Sequence, residues 1–141
     1  MTSLVAAVLA VMMMNSPLWA AESKTDKFFH ATATDVKGID TDMRNVLFYW
    51  EEKVSETAFV PHEVREVPVK RGTATVKIKF DTIQHLVFKP SGTGALPGVT
   101  ITLTDGKTGE FTLAIAGSFK GLSDFGEVEL PAAELKKIVF K

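Results

Sequence analysis

The residues that could do chemistry in this sequence are few and widely spaced. None of the three histidines, His30, His62 and His85, pairs with another histidine or a carboxylate at the H-E-x-x-H spacing of a zinc site. No serine lies in a G-x-S-x-G elbow. Gly106-Lys107-Thr108 is similar to the end of a phosphate-binding loop, but Ile101 stands where that loop needs glycine. We therefore predict no catalytic residue, no cofactor and no enzymatic activity.

Three carboxylates crowd one predicted turn. Asp35, Asp40 and Asp42 flank Gly38, and carboxylate oxygens are ligands that calcium prefers. Their spacing matches no EF-hand loop, and aspartate also favours turns because it bonds its own backbone. We therefore predict no metal ion at this turn. If the chain did bind calcium, these three aspartates would be the candidate ligands.

The densest aromatic cluster is Phe48-Tyr49-Trp50. In a β-strand Phe48 and Trp50 point to one face, and Tyr49 points to the other together with Leu47. If that second face is open, Leu47 and Tyr49 are candidate residues for binding a partner protein, a peptide or a sugar, because exposed apolar patches mark interaction sites. If another strand or sheet covers it, both side chains belong to the core.

The elements that must position these residues are β-strands. Apolar and polar residues alternate with a period of two, which puts one set in the core and the other in water. About eight or nine such strands are predicted, at 28–34, 46–52, 67–70, 76–80, 86–89, 99–104, 110–115, 127–130 and 138–141. Turns are predicted at Lys37-Gly38, Arg71-Gly72 and Asp105-Gly106, where glycine accepts a positive φ.

The sequence also contains an internal similarity. Residues 75–89 read TVKIKFDTIQHLVFK and residues 127–141 read EVELPAAELKKIVFK, and they align without a gap at an offset of 52. This predicts an internal duplication, with repeats 46–89 and 99–141 joined by the linker 90–98. Each repeat holds one helical turn before its last strand, an arrangement similar to small SH3-like barrels. The predicted fold is all-β, either a sandwich or two fused small barrels.

Two features of the predicted sheet concern its edges. Pro68 has no amide hydrogen, which predicts an edge strand or a bulge at that position. The final strand, ending at Lys141, is a second candidate edge, and open edges can accept a strand from a partner.

Composition excludes several classes of function. The chain of 141 residues has a formal net charge of −1, which argues against nucleic-acid binding by phosphate neutralisation. It has no cysteine, which excludes a disulfide scaffold, a zinc–thiolate site and an iron–sulfur cluster.

The N-terminal 21 residues predict export. They carry no charged side chain, and the apolar run 4–14 is followed by the breaker Asn15-Ser16-Pro17 and by small residues at Ala20-Ala21. This layout is typical of a cleaved signal peptide over 1–21, and the apolar run is too short to span a bilayer. An uncleaved N-terminal anchor is the alternative. Residues 22–141 then form one exported β domain, periplasmic or secreted, whose mature form does not span the membrane.

These observations predict a non-catalytic binding or assembly module outside the cytoplasm. The expected partner is an extracytoplasmic protein rather than a nucleic acid. The alternative is a small-ligand or glycan-binding β domain that uses an aromatic face near Tyr49.

Overall fold

The computed structural model describes residues 29–90 and 95–141. The predicted signal peptide 1–21 and the centre of the linker 90–98 lie outside the described residues. The described chain contains eleven β-strands and two single-turn 3-10 helices, and no α-helix. In chain order the strands are β1 (His30–Asp35), β2 (Asp40–Lys53), β3 (Phe59–Val64), β4 (Glu66–Arg71), β5 (Ala74–Lys79), β6 (Ile83–Lys89), β7 (Gly98–Leu103), β8 (Thr108–Leu113), β9 (Ser118–Ser123), β10 (Gly126–Pro131) and β11 (Leu135–Phe140), with 3-10 turns at Phe80–Thr82 and Ala132–Glu134.

The all-β prediction is confirmed, but the strand count of eight or nine is wrong. The two strands that sequence reasoning missed are β3 and β9. β3 contains Pro61, a residue that argues against a strand, and all residues of β3 keep contact with solvent, so no apolar face marks this strand. In β9, glycine at position 121 removes one inward side chain and weakens the alternation.

The predicted hairpin around Asp105-Gly106 is confirmed. β7 pairs with β8 from Gly98 opposite Thr112 to Thr102 opposite Thr108. Gly106 has a φ of 94°, a conformation that few other residues adopt. The element that follows this turn is the strand β8. A phosphate-binding loop would require a helix at this place.

All eleven strands belong to one open antiparallel sheet, with the order β10-β9-β2-β1-β11-β6-β7-β8-β4-β5. The long strand β2 also pairs with β3 beyond the end of β1. The prediction that the final strand is an edge is wrong, because β11 pairs with both β1 and β6. The edges of the ten-strand path are β5 and β10.

Pro68 also lies away from an edge, since β4 stands between β8 and β5. The ladder between β4 and β8 extends only over Val69 and Lys70. Next to it the carbonyl oxygen of Pro68 accepts a hydrogen bond from the Ala114 amide at 3.0 Å. Proline is tolerated because its missing amide hydrogen falls where the ladder with β8 has ended.

The strand order is symmetric about the contact between β11 and β6. From this centre it runs β6-β7-β8-β4-β5 on one side and β11-β1-β2-β9-β10 on the other. Leu86 of β6 pairs with Ile138 of β11 at the centre, and the sequence alignment matches the same two residues. In the half that contains β11, hairpin β1–β2 pairs through β1 with β11 and through β2 with β9. In the half that contains β6, hairpin β7–β8 pairs through β7 with β6 and through β8 with β4. Each half of the sheet therefore combines strands that are distant in sequence. The duplication itself stays a prediction.

The sheet curls around one hydrophobic core. Phe119 of β9 and Phe88 of β6 lie four strand positions apart, a separation of about 19 Å in a flat sheet. Their ring centroids are 5.9 Å apart. Phe119 also contacts Phe48 at 5.2 Å and Phe80 at 6.3 Å, so the inner face folds back on itself around an aromatic centre.

Candidate binding face

A β-bulge in β2 decides which side chains of this strand face outward. The register between β2 and β9 shifts between Arg44 and Leu47, and Asn45 lies inside the shift with a φ of 55°. Asparagine adopts this left-handed conformation more readily than most residues. The extra residue inverts the alternation, so that Met43 is buried before the bulge and Val46 after it.

Leu47 and Tyr49 consequently lie on the outer face of β2. Phe48, between them, is fully buried, whereas both of these side chains keep contact with solvent. Tyr49 pairs with Ser118 of β9 on one side and with Glu63 of β3 on the other. The structure therefore brings the two predicted residues together on an open face made by β3, β2, β9 and β10, which we call the Tyr49 face.

Lys120 of β9 covers one side of the Tyr49 ring. Its Nζ lies 3.9 Å from the ring centroid, a cation–π contact. The same ammonium lies 3.8 Å from Oε1 of Glu127 on β10, and the Lys120 side chain is only 19% exposed. Its charge is thus shared between the ring and one carboxylate, and it holds the ring against the sheet.

Negative charge from three glutamates acts on the hydroxyl of Tyr49. This hydroxyl donates a hydrogen bond to Oε2 of Glu51 at 2.8 Å. The hydrogen bond raises the pKa of the Tyr49 phenol above its ordinary value, and desolvation and the negative charges of Glu51, Glu129 and Glu63 raise it further. Since Glu51 lies on β2, Glu63 on β3 and Glu129 on β10, three strands direct negative charge toward one phenol.

An open groove of about 370 Å³ lies beside Tyr49. Tyr49, Trp50 and Phe59 contribute its aromatic lining, and Glu51 and Glu129 contribute its acidic lining. The Phe59 side chain is 55% exposed. The groove therefore combines apolar surface with negative charge.

The apolar part of the face continues to Leu122 of β9, a residue that sequence reasoning missed together with its strand. Leu122 is 45% exposed and lines, with Leu47, a depression of about 100 Å³. The available signal was the alternation of Phe119 and Gly121, which are buried, with Lys120 and Leu122, which face outward. This signal is weak because the second inward position is a glycine.

Trp50, His62 and Glu52 form a second contact on β2 and β3. The indole and imidazole rings stack with centroids 4.2 Å apart and planes 11° apart. Nε2 of His62 lies 3.0 Å from Oε1 of Glu52. One face of the Trp50 ring is therefore covered by the imidazole, and a carboxylate fixes the imidazole in place.

The other two histidines lie on different strands, His30 on β1 and His85 on β6.

The three aspartates of the calcium candidate each bond within the β1–β2 hairpin. Oδ1 of Asp35 accepts hydrogen bonds from two backbone amides of the turn, at 2.8 and 3.1 Å. Asp40 accepts one from the Thr34 hydroxyl at 2.7 Å, and Asp42 accepts one from the Thr32 hydroxyl at 2.6 Å. The hydrogen bond from Thr32 is the main cause that lowers the pKa of Asp42. Within residues 29–90 and 95–141, no group of three or more His, Asp or Glu side chains is arranged to hold a metal ion.

Comparison with known proteins finds no matching family model, no matching curated protein and no matching solved structure. Among the described residues, no helix is long and apolar enough to cross a membrane.

Proposed function

We propose that this protein is a non-catalytic binding module whose Tyr49 face recognises another protein. The observation that carries the proposal is the placement of Tyr49 and Leu47 on the outer face of a bulged strand, partly exposed and next to the exposed Leu122. Aromatic side chains held on a rigid strand lose little conformational entropy on binding, and tyrosine is enriched among residues that dominate binding energy.

The charge of the face indicates the chemistry of the partner. Glu51, Glu63 and Glu129 act together on the Tyr49 phenol, whereas the ammonium of Lys120 already lies beside Glu127. A surface that offers lysine or arginine next to an apolar side chain would complement this arrangement, since opposite charges favour encounter and fix orientation. We expect the partner to present such a basic, partly apolar segment.

The alternative, a glycan or small-ligand site, is less well supported by the aromatic geometry. Sugars stack on open aromatic faces, but Lys120 lies over one face of Tyr49 and His62 lies over one face of Trp50. The groove beside Tyr49 is also wide open rather than enclosed. These contacts favour a protein surface over a stacked sugar.

Export is part of the proposal. A segment without charge over residues 1–21, with an apolar run and small residues at its end, supports secretion or periplasmic location. N-terminal sequencing of the protein from its native source tests this point. A sequence beginning near Glu22 in the extracytoplasmic fraction would support it, and intact cytoplasmic protein would contradict it.

Capture experiments test the binding face. The tagged wild-type protein is compared with Tyr49→Ala, with Glu51→Lys and with the control Glu110→Lys, which reverses the charge of an exposed glutamate paired with Lys89 on β6. The wild type and the control are expected to retain one near-stoichiometric protein, and each face variant to lose it. Truncating a tyrosine at the centre of an interface costs about 2 kcal/mol or more, a loss of roughly 30-fold in affinity.

The proposal also predicts that the captured complex dissociates as the salt concentration rises, because charge complementarity is screened. Retention of the same protein by all four forms, or isolation of the wild type without any partner, would contradict the proposal. Circular dichroism and thermal melting of each variant establish that the fold is intact before the comparison is made.

A further inference from the structure

The two end strands of the ten-strand path, β5 and β10, carry complementary patterns. Within the described part of the chain, β5 pairs only with β4, and β10 pairs only with β9. Each edge strand alternates two apolar residues with two charged ones, but the charges have opposite signs. The residues concerned are Val76, Lys77, Ile78 and Lys79 on β5, and Glu127, Val128, Glu129 and Leu130 on β10.

On both β5 and β10 the apolar side chains lie on the core face of the sheet and the charged side chains on its outer face. On β5, Val76 pairs with the buried Val69 and Ile78 with the buried Val67, so both apolar side chains lie on the core face. On β10, Leu130 pairs with the buried Phe119. The lysines of β5 and the glutamates of β10 consequently lie on the outer face.

Strand direction permits the two edges to meet. The path from β10 to β5 contains ten strands, and every neighbouring pair is antiparallel. Strand direction therefore alternates along the path, and β5 runs opposite to β10. A second copy placed with its β10 beside β5 of the first, and with its core face on the same side, continues the antiparallel order without a break.

One register satisfies both faces. If Lys77 lies opposite Glu129, then Lys79 lies opposite Glu127 and Ile78 lies opposite Val128. Oppositely charged cross-strand pairs stabilise a sheet, and like pairs destabilise it. This register places unlike charges together on the outer face and apolar side chains together on the core face.

The backbone groups needed for this pairing point outward. Two-residue turns at Gly72-Thr73 and Asp124-Phe125 close the two terminal hairpins. In such hairpins the residues that flank the turn bond to each other, and hydrogen bonding then alternates along the strand. Residues 75, 77 and 79 of β5 and residues 127 and 129 of β10 therefore direct their N–H and C=O groups away from their own hairpin. The carbonyl oxygen of Lys79 also accepts a hydrogen bond from the Thr82 hydroxyl at 2.8 Å, so it would offer a partner strand its second lone pair.

We propose that this protein associates with a second copy of itself, head to tail, through antiparallel pairing of β5 with β10. Pairing of β5 with β5 would oppose lysines to lysines, and pairing of β10 with β10 would oppose glutamates to glutamates. Charged edge strands commonly prevent edge-to-edge association. Here the opposite signs disfavour the two symmetric contacts and favour the one asymmetric contact. Because the contact is head to tail and leaves one edge strand open at each end, it generates assemblies of more than two copies, which are open chains or closed rings according to the rotation between neighbours.

Sedimentation over a range of protein concentrations at low salt tests the proposal. The wild type is expected to form dimers and longer species as concentration rises. The double variant Lys77→Glu/Lys79→Glu and the double variant Glu127→Lys/Glu129→Lys should each associate at concentrations about tenfold or more higher, since each now carries two edges of the same sign. The control Lys136→Glu/Lys137→Glu reverses the charge of two exposed lysines, the second and third residues of the central strand β11. This control should associate as the wild type does.

Mixing gives the decisive result. A mixture of the two edge variants restores one native pair of edges, so association should return when both are present and not when either is alone. A wild type that stays monomeric at every concentration would overturn the proposal. Association that both edge variants retain, or a mixture that stays monomeric, would also overturn it.

This proposal is separable from the binding of a partner protein. Lys77 and Lys79 lie on β5, at the opposite end of the strand order from β10, which is part of the Tyr49 face. The variant Lys77→Glu/Lys79→Glu should therefore lose self-association and still capture the partner.

Discussion

At the scale of single residues, Tyr49 combines a polar and a cationic contact on one exposed ring. Its hydroxyl donates to Glu51, and Lys120 lies over its face. The two contacts fix the ring on the outer face of β2 without burying it. A side chain held in this way presents apolar surface to a partner at little entropic cost.

Titration of the phenol tests this environment. Tyr49 is the only tyrosine in the chain, so the ultraviolet absorbance of phenolate reports this residue alone. We expect its pKa to lie above the ordinary value and to fall toward that value in Glu51→Gln, because the variant removes the carboxylate that accepts the hydrogen bond. The control Glu52→Gln removes the carboxylate that contacts His62 instead, and should leave the phenol unchanged.

The sign of the pH dependence follows from the raised pKa. The unfolded chain loses the phenolic proton at lower pH than the folded one, so the contribution of Tyr49 to stability is fully present below the unfolded pKa. It is lost as the pH rises through the folded-state pKa. A phenol that titrates at or below its ordinary value in the folded protein would contradict the contacts described for Tyr49.

The sequence predicts which face of β2 carries Leu47 and Tyr49, but it does not predict which residues of other strands lie beside them. Alternation within β2 is local, and it correctly placed both on the face opposite Phe48. Glu63, Lys120 and Glu129 reach this face through strand pairing between segments distant along the chain. Which strands become neighbours depends on burial over the whole sheet, so no local pattern revealed them.

At the scale of elements, Gly117, the residue directly before β9, allows the chain to pack closely against β2. A Cβ atom added at Gly117 would lie 2.5 Å from the Phe48 ring and 2.6 Å from the carbonyl oxygen of Tyr49. These distances are far shorter than van der Waals contact. The small residue therefore lets this segment pack against the strand that carries the Tyr49 face.

Substitution of this glycine has a predictable cost. Gly117→Ala is expected to destabilise the protein by about 1–3 kcal/mol, because the methyl group overpacks the contact. The control Gly98→Ala places its methyl group 3.7 Å from the nearest atom, an ordinary contact, and should leave the stability unchanged or slightly higher. Urea denaturation measures both, and equal effects of the two substitutions would contradict the packing described.

The edges of the sheet illustrate the limit of local prediction at this scale. Pro68 predicts an edge strand or a bulge, and the final strand is a candidate edge, yet β4 and β11 are interior strands. Proline reveals only a missing amide hydrogen and not the place where a ladder ends. The end strands of the path, β5 and β10, show the charged alternation typical of edge strands, but the same alternation also suits any strand with one solvated face.

At the scale of the whole molecule, the curled sheet depends on an aromatic centre that joins its two halves. Phe119 belongs to one half of the strand order and Phe88 to the other, and both contact each other directly. Alternation predicted the all-β class of fold. It did not predict that hairpin β1–β2 pairs with β9, or that hairpin β7–β8 pairs with β4, so that each half of the strand order contains a hairpin from a distant part of the chain. That arrangement depends on pairing between segments distant along the chain, which local alternation does not reveal.

Truncation of the central ring tests this arrangement. Phe119→Ala removes a side chain that is 0% exposed and touches three other phenylalanines, and a loss of about 3–5 kcal/mol in the free energy of unfolding is expected. The control Phe125→Ala changes a fully exposed ring at the tip of the β9–β10 hairpin and should stay within about 0.5 kcal/mol of the wild type. Similar losses for both variants would contradict a core centred on Phe119.

The central claim is that the Tyr49 face contacts a partner protein, and site-specific photocrosslinking in the native source tests it most directly. A photoreactive phenylalanine analogue replaces Tyr49 in one form of the protein and Gln84, an exposed residue of β6, in the control. We expect one protein with a basic, partly apolar surface to be crosslinked from position 49 and not from position 84. Absence of any protein crosslink from position 49, or the same crosslinks from both positions, would contradict the claim.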